Sequence, residues 1–234
     1  VEILLLHGVN NTETTWLQMQ EHLHESGHHS LALRCPALKT VESIADRIAI
    51  QLDRSYFIVG HSFGGMVALA LAQKYPELTL GLALVNSSLG ADTDTARAAR
   101  LARIERGLRG EYESMANEAS SRAYHPSNQG RSDLVLAREK EISQYGSEAY
   151  IAHQSAMASR PDRSSFFKNF KGPKIVIAAD ADLVVPIDNQ ISAAALAGAE
   201  TAVIENAGHM LPAEQPRELA RVVSDWVERH ARLT

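Results

Sequence analysis

The hexapeptide Gly60-His61-Ser62-Phe63-Gly64-Gly65 limits this chain more than any other stretch. It follows the apolar run Tyr56 to Val59 and precedes the helix-like stretch Met66 to Ala72. A serine between glycines in that setting predicts a tight strand-to-helix turn. Such a turn holds the serine in a strained backbone conformation and exposes its hydroxyl. Gly60 and Gly64 are needed because larger side chains there would keep strand and helix apart. The helix predicted over 63–75, stopped by Pro76, aims its free N–H groups and positive dipole end at the hydroxyl.

The rest of the chain repeats the same alternation. Apolar runs occur at Ile3 to Leu6, Leu31 to Arg34, Tyr56 to Val59, Leu80 to Val85, Lys174 to Ala179 and Thr201 to Ile204. They are continuous, as in parallel strands covered on both faces. Helical patterns separate them. Thr14 or Thr15 caps a helix through Leu17 and Leu23 that Gly27 ends. Thr40 caps the next, with Val41, Ile44, Ala45, Ile48 and Leu52 on one face. The last begins near Pro216 and buries Leu219, Val222, Val223, Trp226 and Val227. Strand, helix, strand, helix predicts an α/β fold with about six parallel strands and right-handed crossovers.

Residues 90–165 break the rhythm. They carry no strand-like run and predict helices over 95–108, 111–124, 133–144 and 148–159, punctuated by Pro126, Gly130, Gly146 and Pro161. The 234 residues thus divide into a core, 1–89 and 166–234, and an all-helical cap, 90–165. A cap inserted there lies over the carboxyl edge of the sheet, where open α/β folds bind ligands. Arg97, Arg100, Arg103, Arg106 and Arg109 recur every three residues, which precesses around a helix and predicts a solvated one.

Composition narrows the partners. A net charge of −5 gives no reason to expect nucleic acid. No apolar run is long enough to span a bilayer. Cys35 is the single cysteine, which fits a reducing compartment. With no basic leader before the short apolar Val1 to Leu6, the expectation is a cytoplasmic protein. Paired Cys/His spacings are absent, so neither a metal nor a cofactor is expected. The composition does not address oligomeric state.

A serine at pH 7 needs a base to become a nucleophile. Of ten histidines, His209 follows the run Thr201 to Ile204, on a loop at the same edge as Ser62. His7 and His61 flank the motifs and are assigned to orienting backbone. His22, His24, His28 and His29 are expected at the surface near the first helix, and His125 and His153 in the cap, where a surface role is expected and contact with substrate is the alternative. The base needs a carboxylate to hold its tautomer. Asp180 and Asp182 both follow Lys174 to Ala179. Asp182 lies further into the loop, with room to turn inward, and Asp180 suits support of the turn. An oxyanion needs backbone donors, for which Phe63, after the serine, and Val9, beyond Gly8, are the candidates. Tyr124, Tyr150 and Met157 are the candidate substrate contacts in the cap. The alternative, that they simply pack the cap on the core, stays open, as it does for Tyr112, Met115 and Tyr145.

Together His7-Gly8, the motif around Ser62, Asp182 with Pro186, and Gly208-His209 resemble the α/β-hydrolase superfamily, whose chain order is also Ser, Asp, His. Typical members place two strands before the His-Gly loop, and this chain begins at the loop's own strand. In that it is similar to the compact branch of plant methyl esterases, hydroxynitrile lyases and small bacterial esterases. Arg160-Pro161-Asp162 is similar to a stretch of bacterial enol-lactone hydrolases. Cys35 to Lys39 departs from the Asp-x-x-Gly-x-Gly pattern of many relatives. Ser62 stands where haloalkane dehalogenases carry Asp, and Gly8 and Met210 replace the hydroxyl residue and lysine of the lyases. The resemblance implies hydrolysis of a small-molecule carboxylic ester through an acyl-enzyme. Lactonase, carbon–carbon hydrolase and cofactor-free perhydrolase chemistry on the same triad stay open, as does a receptor of this fold.

Overall fold

The computed structural model describes residues 1–231, apart from the side chain of Ser121. Six strands form one parallel sheet: β1 (Glu2–Leu6), β2 (His29–Leu33), β3 (Tyr56–His61), β4 (Thr79–Val85), β5 (Lys174–Ala179) and β6 (Glu200–Ile204). Their spatial order is β2-β1-β3-β4-β5-β6. The chain therefore runs outward from β1 to the edge strand β2, returns to the other side of β1 as β3, and continues one way. Between β1 and β3 the direction of winding reverses, which opens a crevice at the carboxyl ends of these two strands.

Helices cover both faces. α1 (Leu17–Glu25) and α10 (Pro216–Ala231) pack on one, against Ile3, Leu5, Phe57, Val59 and Ile177. α2 (Val41–Ala49), α3 (Phe63–Lys74) and α8 (Ile187–Ala197) pack on the other, with Leu4, Leu6, Ile58, Leu84 and Val176. Alternate strand residues serve opposite clusters, as the pleat requires. That double burial explains the continuous apolar runs. The edge strands β2 and β6 are only partly buried.

Several predicted boundaries move. β2 starts two residues early, at His29, because pairing with β1 begins at Glu2 opposite His29. A 3-10 turn, Glu13–Trp16, precedes α1, and its cap is Thr12 rather than Thr14 or Thr15: the Thr12 side chain accepts from the Thr14 N–H. Thr40 caps α2 and Gly27 adopts a positive φ of 79°, both as read.

Between β4 and β5 lie α4 (Asp94–Leu108), α5 (Tyr112–Ala123) and α6 (Ser132–Ser159), followed by the short α7 (Ser164–Asn169). Gly146 interrupts α6 with φ 78° and ψ 164°, so the two helices expected there are two arms of one element. α4 and α5 pack on α6. The arginine-rich α4 is largely solvated, as its spacing predicts, with Gly107 its one buried residue among those described. Arg100 and Arg160 share the buried carboxylate of Asp92, and Arg97 donates to the Ala158 carbonyl at 2.9 Å. These contacts hold the base of the segment. Among the described residues no helix is long and apolar enough to cross a membrane.

The fully buried Trp226 joins α10 to the sheet, edge-on to Phe57 at 5.3 Å. Trp226→Ala is expected to cost about 3–5 kcal/mol in urea denaturation. Leu196→Ala, at a side chain 77% exposed, should stay within about 0.5 kcal/mol of the parent.

Candidate active site

Ser62 sits between β3 and α3 with φ 52° and ψ −115°, a conformation that L-residues rarely adopt. The neighbouring glycines let the turn close. A Cβ on Gly60 would lie 2.5 Å from the Cα of Gly65, and one on Gly64 would lie 2.1 Å from the Leu6 carbonyl oxygen. The Ser62 N–H donates to the Val85 carbonyl at 2.8 Å, and its own carbonyl accepts from Ser87 Oγ at 2.7 Å. These bonds offset the strain locally and hold the hydroxyl at the reversal point of the sheet.

His209 and Asp182 reach this hydroxyl from the loops after β6 and β5. His209 Nε2 lies 2.9 Å from Ser62 Oγ, and His209 Nδ1 lies 2.8 Å from Asp182 Oδ2. An ionised carboxylate only accepts, so Nδ1 carries the proton and Nε2 is free to accept from the serine. Asp182 and His209 are buried, while Ser62 is half-buried. Burial acts to raise the Asp182 pKa. The hydrogen bond and charge of His209, with the N–H groups of Val184 and Val185 at 2.8 and 2.9 Å, outweigh it and hold the carboxyl below its usual range. A base thus stands within hydrogen-bond reach of a hydroxyl, and a charged carboxylate fixes the base. That arrangement can remove a proton from serine as it attacks a carbonyl.

The His209 loop is held from several sides. Asn86, at the end of β4, donates to the carbonyls of Gly208 and His209 at 3.1 Å each and accepts from the Ala179 N–H at 2.8 Å. Asp180 accepts from the N–H groups of Asn206 and Ala207 at 3.1 and 3.2 Å, which is the turn support expected of it. Glu214, in the short helix α9 (Leu211–Glu214), accepts from the Gly208 N–H at 2.8 Å. Its other oxygen accepts from the His125 N–H at 2.8 Å and Asn128 Nδ2 at 2.9 Å. Sequence reasoning missed Asn86 and Glu214. The one available signal was an asparagine just past an apolar run, a position where a positive φ suits Asn, and φ there is 46°.

The buried histidines divide differently from expectation. His7 donates from Nδ1 to the Gly8 carbonyl at 2.9 Å and accepts at Nε2 from the Cys35 N–H at 2.9 Å. His61 donates from Nε2 to the His209 carbonyl at 2.7 Å. Both thus orient backbone. His28 and His153 are not at the surface. His28 is buried against Ser224 Oγ at 2.6 Å, because the chain turns inward after Gly27 to enter β2. His153 is fully buried, stacked on the Phe63 ring at 4.6 Å and bridging Tyr145 Oη and the Pro36 carbonyl at 2.6 and 2.8 Å.

Val9 lies beyond Gly8 in the loop after β1 and packs against the core cluster that contains Phe63. The N–H groups of Val9 and Phe63 meet no acceptor among the described residues. The candidate substrate contacts separate. Tyr124 packs with Leu134 and Met210 and lines two cavities of about 230 and 260 Å³. Tyr150 belongs to an aromatic cluster with Tyr112 and Tyr145 that packs on Val9. Met157 lies in the core cluster that contains Phe63. Neither cavity is lined by Tyr150 or Met157. No group of side chains able to hold a metal ion occurs among the described residues.

Burial pulls His7 and His61 down to a pKa of about 3 and His153 to about 4, against 6.5 in an open chain. Below pH 6.5 the unfolded chain takes up these protons and the native state does not. Stability is therefore full above pH 6.5 and falls as the pH drops from 6.5 towards 4. Three such groups give a slope approaching about 4 kcal/mol per pH unit. Urea melts at pH 7.5, 6 and 5 should show the loss.

The chain is similar to known hydrolases along most of its length. A monoacylglycerol lipase of Xenopus laevis is 23% identical, over 96% of this chain and 74% of its own. A pimeloyl-acyl-carrier-protein methyl ester esterase of Neisseria meningitidis is 24% identical, over 80% of this chain and 62% of its own. The malate-bound structure of a thermophilic esterase from Thermogutta terrifontis superposes with a TM-score of 0.92 at 25% identity, covering 98% of this chain and 90% of that one. A family model matches residues 3–222. With that match, and with the sheet and its reversal point described above, the chain belongs to the alpha/beta hydrolase family.

Proposed function

We propose that this protein is a serine esterase that cleaves a small-molecule carboxylic ester through an acyl-enzyme. The observation that carries the reading is the hydrogen-bonded run from Asp182 through His209 to Ser62, at the point where the sheet reverses. The esterases and lipase among its relatives support ester chemistry.

In this mechanism Ser62 Oγ attacks the ester carbonyl carbon while its proton passes to His209 Nε2. Asp182 stabilises the imidazolium that forms. The N–H groups of Val9 and Phe63 receive the negative oxygen, and α3 adds the positive end of its dipole. Collapse of the tetrahedral intermediate expels the alkoxide, which takes the proton from His209. Water, deprotonated by the same nitrogen, then attacks the acyl-enzyme and frees Ser62. No step needs a metal or cofactor.

The helical segment 90–165 serves as the cap in this reading. Hydrogen bonds tie it to the edge that carries the site. The Met210 N–H donates to the Ala123 carbonyl at 2.9 Å, and Arg122 Nη2 donates to the Leu183 carbonyl at 3.1 Å. Tyr124 then faces substrate from the cap, with Tyr150 and Met157 backing Val9 and Phe63 from behind. The single buried Cys35, its thiol pushed up to about 12 by burial, takes no part. A cytoplasmic location and a small-molecule substrate complete the proposal.

A series of 4-nitrophenyl esters of increasing acyl length, given to the parent and to Ser62→Ala, tests it. Turnover in the parent, reduced about 10⁴- to 10⁶-fold in the variant, is the expected result. Asp182→Asn should lower kcat about 10⁴-fold with a folded protein by circular dichroism. Equal turnover in parent and Ser62→Ala overturns the assignment. Tight ligand binding with no turnover in either points to the receptor role.

A further inference from the structure

Three arginines are buried among the described residues: Arg138, Arg160 and Arg163. Two are neutralised directly. Arg160 Nη1 lies 2.7 Å from Asp92 Oδ1, and Arg163 Nη2 lies 2.5 Å from Glu42 Oε1. Arg138 differs. Its side chain is 7% exposed, yet no carboxylate of the described residues lies within salt-bridge distance of it. Its bonds are a short one from Nη1 to the Asn10 carbonyl, 2.9 Å, and a long one from Nε to Ser120 Oγ, 3.4 Å. A guanidinium has five N–H donors, so three find no acceptor here.

Glu141, one turn further along α6, does not fill the gap. Its two oxygens are taken by the Thr12 N–H, by Thr12 Oγ1 at 3.2 Å and by Thr14 Oγ1. Burial accordingly draws the Arg138 pKa below the usual arginine value. The nearby charge of Glu141 offsets this only in part, and a charge largely removed from water favours a further partner.

Arg138 also has room beside it. It lines both the cavity of about 230 Å³ and the one of about 260 Å³, with Tyr124 and Leu134 in common. The first of these cavities is walled by Met210, next to His209, and by Asn11, two residues past Val9. Arg138 thus shares a cavity with residues of the loops that carry His209 and Val9, and bonds the second of these loops at the Asn10 carbonyl.

Resting on the esterase reading, we propose that Arg138 is the recognition point for a free carboxylate on the substrate, which is then an ester bearing an anionic group away from the scissile bond. The planar fork of free N–H groups matches the two oxygens of a carboxylate, and charge-assisted pairs of this kind are strong where water is excluded. Tyr124, Leu134 and Met210 offer apolar surface to the carbon chain, in a cavity that the carboxylates of Asp133 and Glu141 also line, the latter engaged by Thr12 and Thr14.

The test compares kcat/KM for 4-nitrophenyl half-esters of succinic, glutaric and adipic acids with that for the neutral butyrate, valerate and hexanoate. Acetyl esters of 3-hydroxypropionate and 4-hydroxybutyrate, against propyl and butyl acetate, cover a carboxylate on the alcohol side. The parent should favour the charged member at least tenfold at one chain length. Arg138→Gln keeps a donor near the Asn10 carbonyl and removes the charge. It should lower kcat/KM for the charged ester at least tenfold and leave the neutral one within threefold, while Arg138→Lys recovers part. No preference in the parent overturns the proposal. Equal losses on both esters in Arg138→Gln also overturn it, and leave Arg138 as a brace for the Asn10 loop. If no ester of either series is turned over, the esterase reading fails on its own. Calorimetric titration of parent and Arg138→Gln with glutarate then decides the anion site separately: binding in the parent that the variant loses upholds it, and no binding in the parent sinks it.

Discussion

Backbone touches backbone where α3 crosses the ends of β1 and β3, and the site depends on that contact. The Cβ positions of Gly60 and Gly64 are already occupied by main-chain atoms of neighbouring elements. Nothing larger than hydrogen fits. The approach forces Ser62 into its positive φ, lifts its hydroxyl out of the sheet and brings the start of α3 up to the loop after β1. Strain at Ser62 persists because the surroundings over-determine it: the Val85 carbonyl and Ser87 hydroxyl grip its peptide groups on either side.

Around this fixed point buried polar groups join apolar packing in holding the other loops. Asn86 binds the end of β5 and the His209 loop at once. Neutral His61 carries the His209 carbonyl, and neutral His7 ties the loop after β1 to the one after β2. Every such bond is sheltered from water, so each is stiff and each is costly to lose. A rigid frame of this kind suits a reaction in which donors must already face the place where charge develops.

Much of this was legible in the residues. The doubly covered sheet announced itself as continuous apolar runs, and the close turn as glycines around Ser62. Asp182 and His209 lie beside Ser62 because each follows a parallel strand and emerges at the same edge. What stayed hidden depends on distance in space rather than on local pattern. Nothing in the sequence near His153 says that its ring stacks on Phe63, since the two meet only when α6 folds over the sheet. The same holds for Arg138, whose spacing on α6 resembles that of any solvated arginine, and for Thr12, whose capping role needed the exact phase of a 3-10 turn. The boundaries of β2 moved because pairing with β1, not residue preference, sets them.

Glu214 joins the His209 loop to the helices between β4 and β5 through a single carboxylate. One oxygen holds Gly208, beside the imidazole, and the other holds His125 and Asn128 in the helical segment. Changes on either side of it share that partner, so their effects are not additive. Where substitutions fall on both sides, the order in which they arrive then affects which of them are tolerated. Epistasis is in this sense written into the fold, at a buried carboxylate shared by both sides.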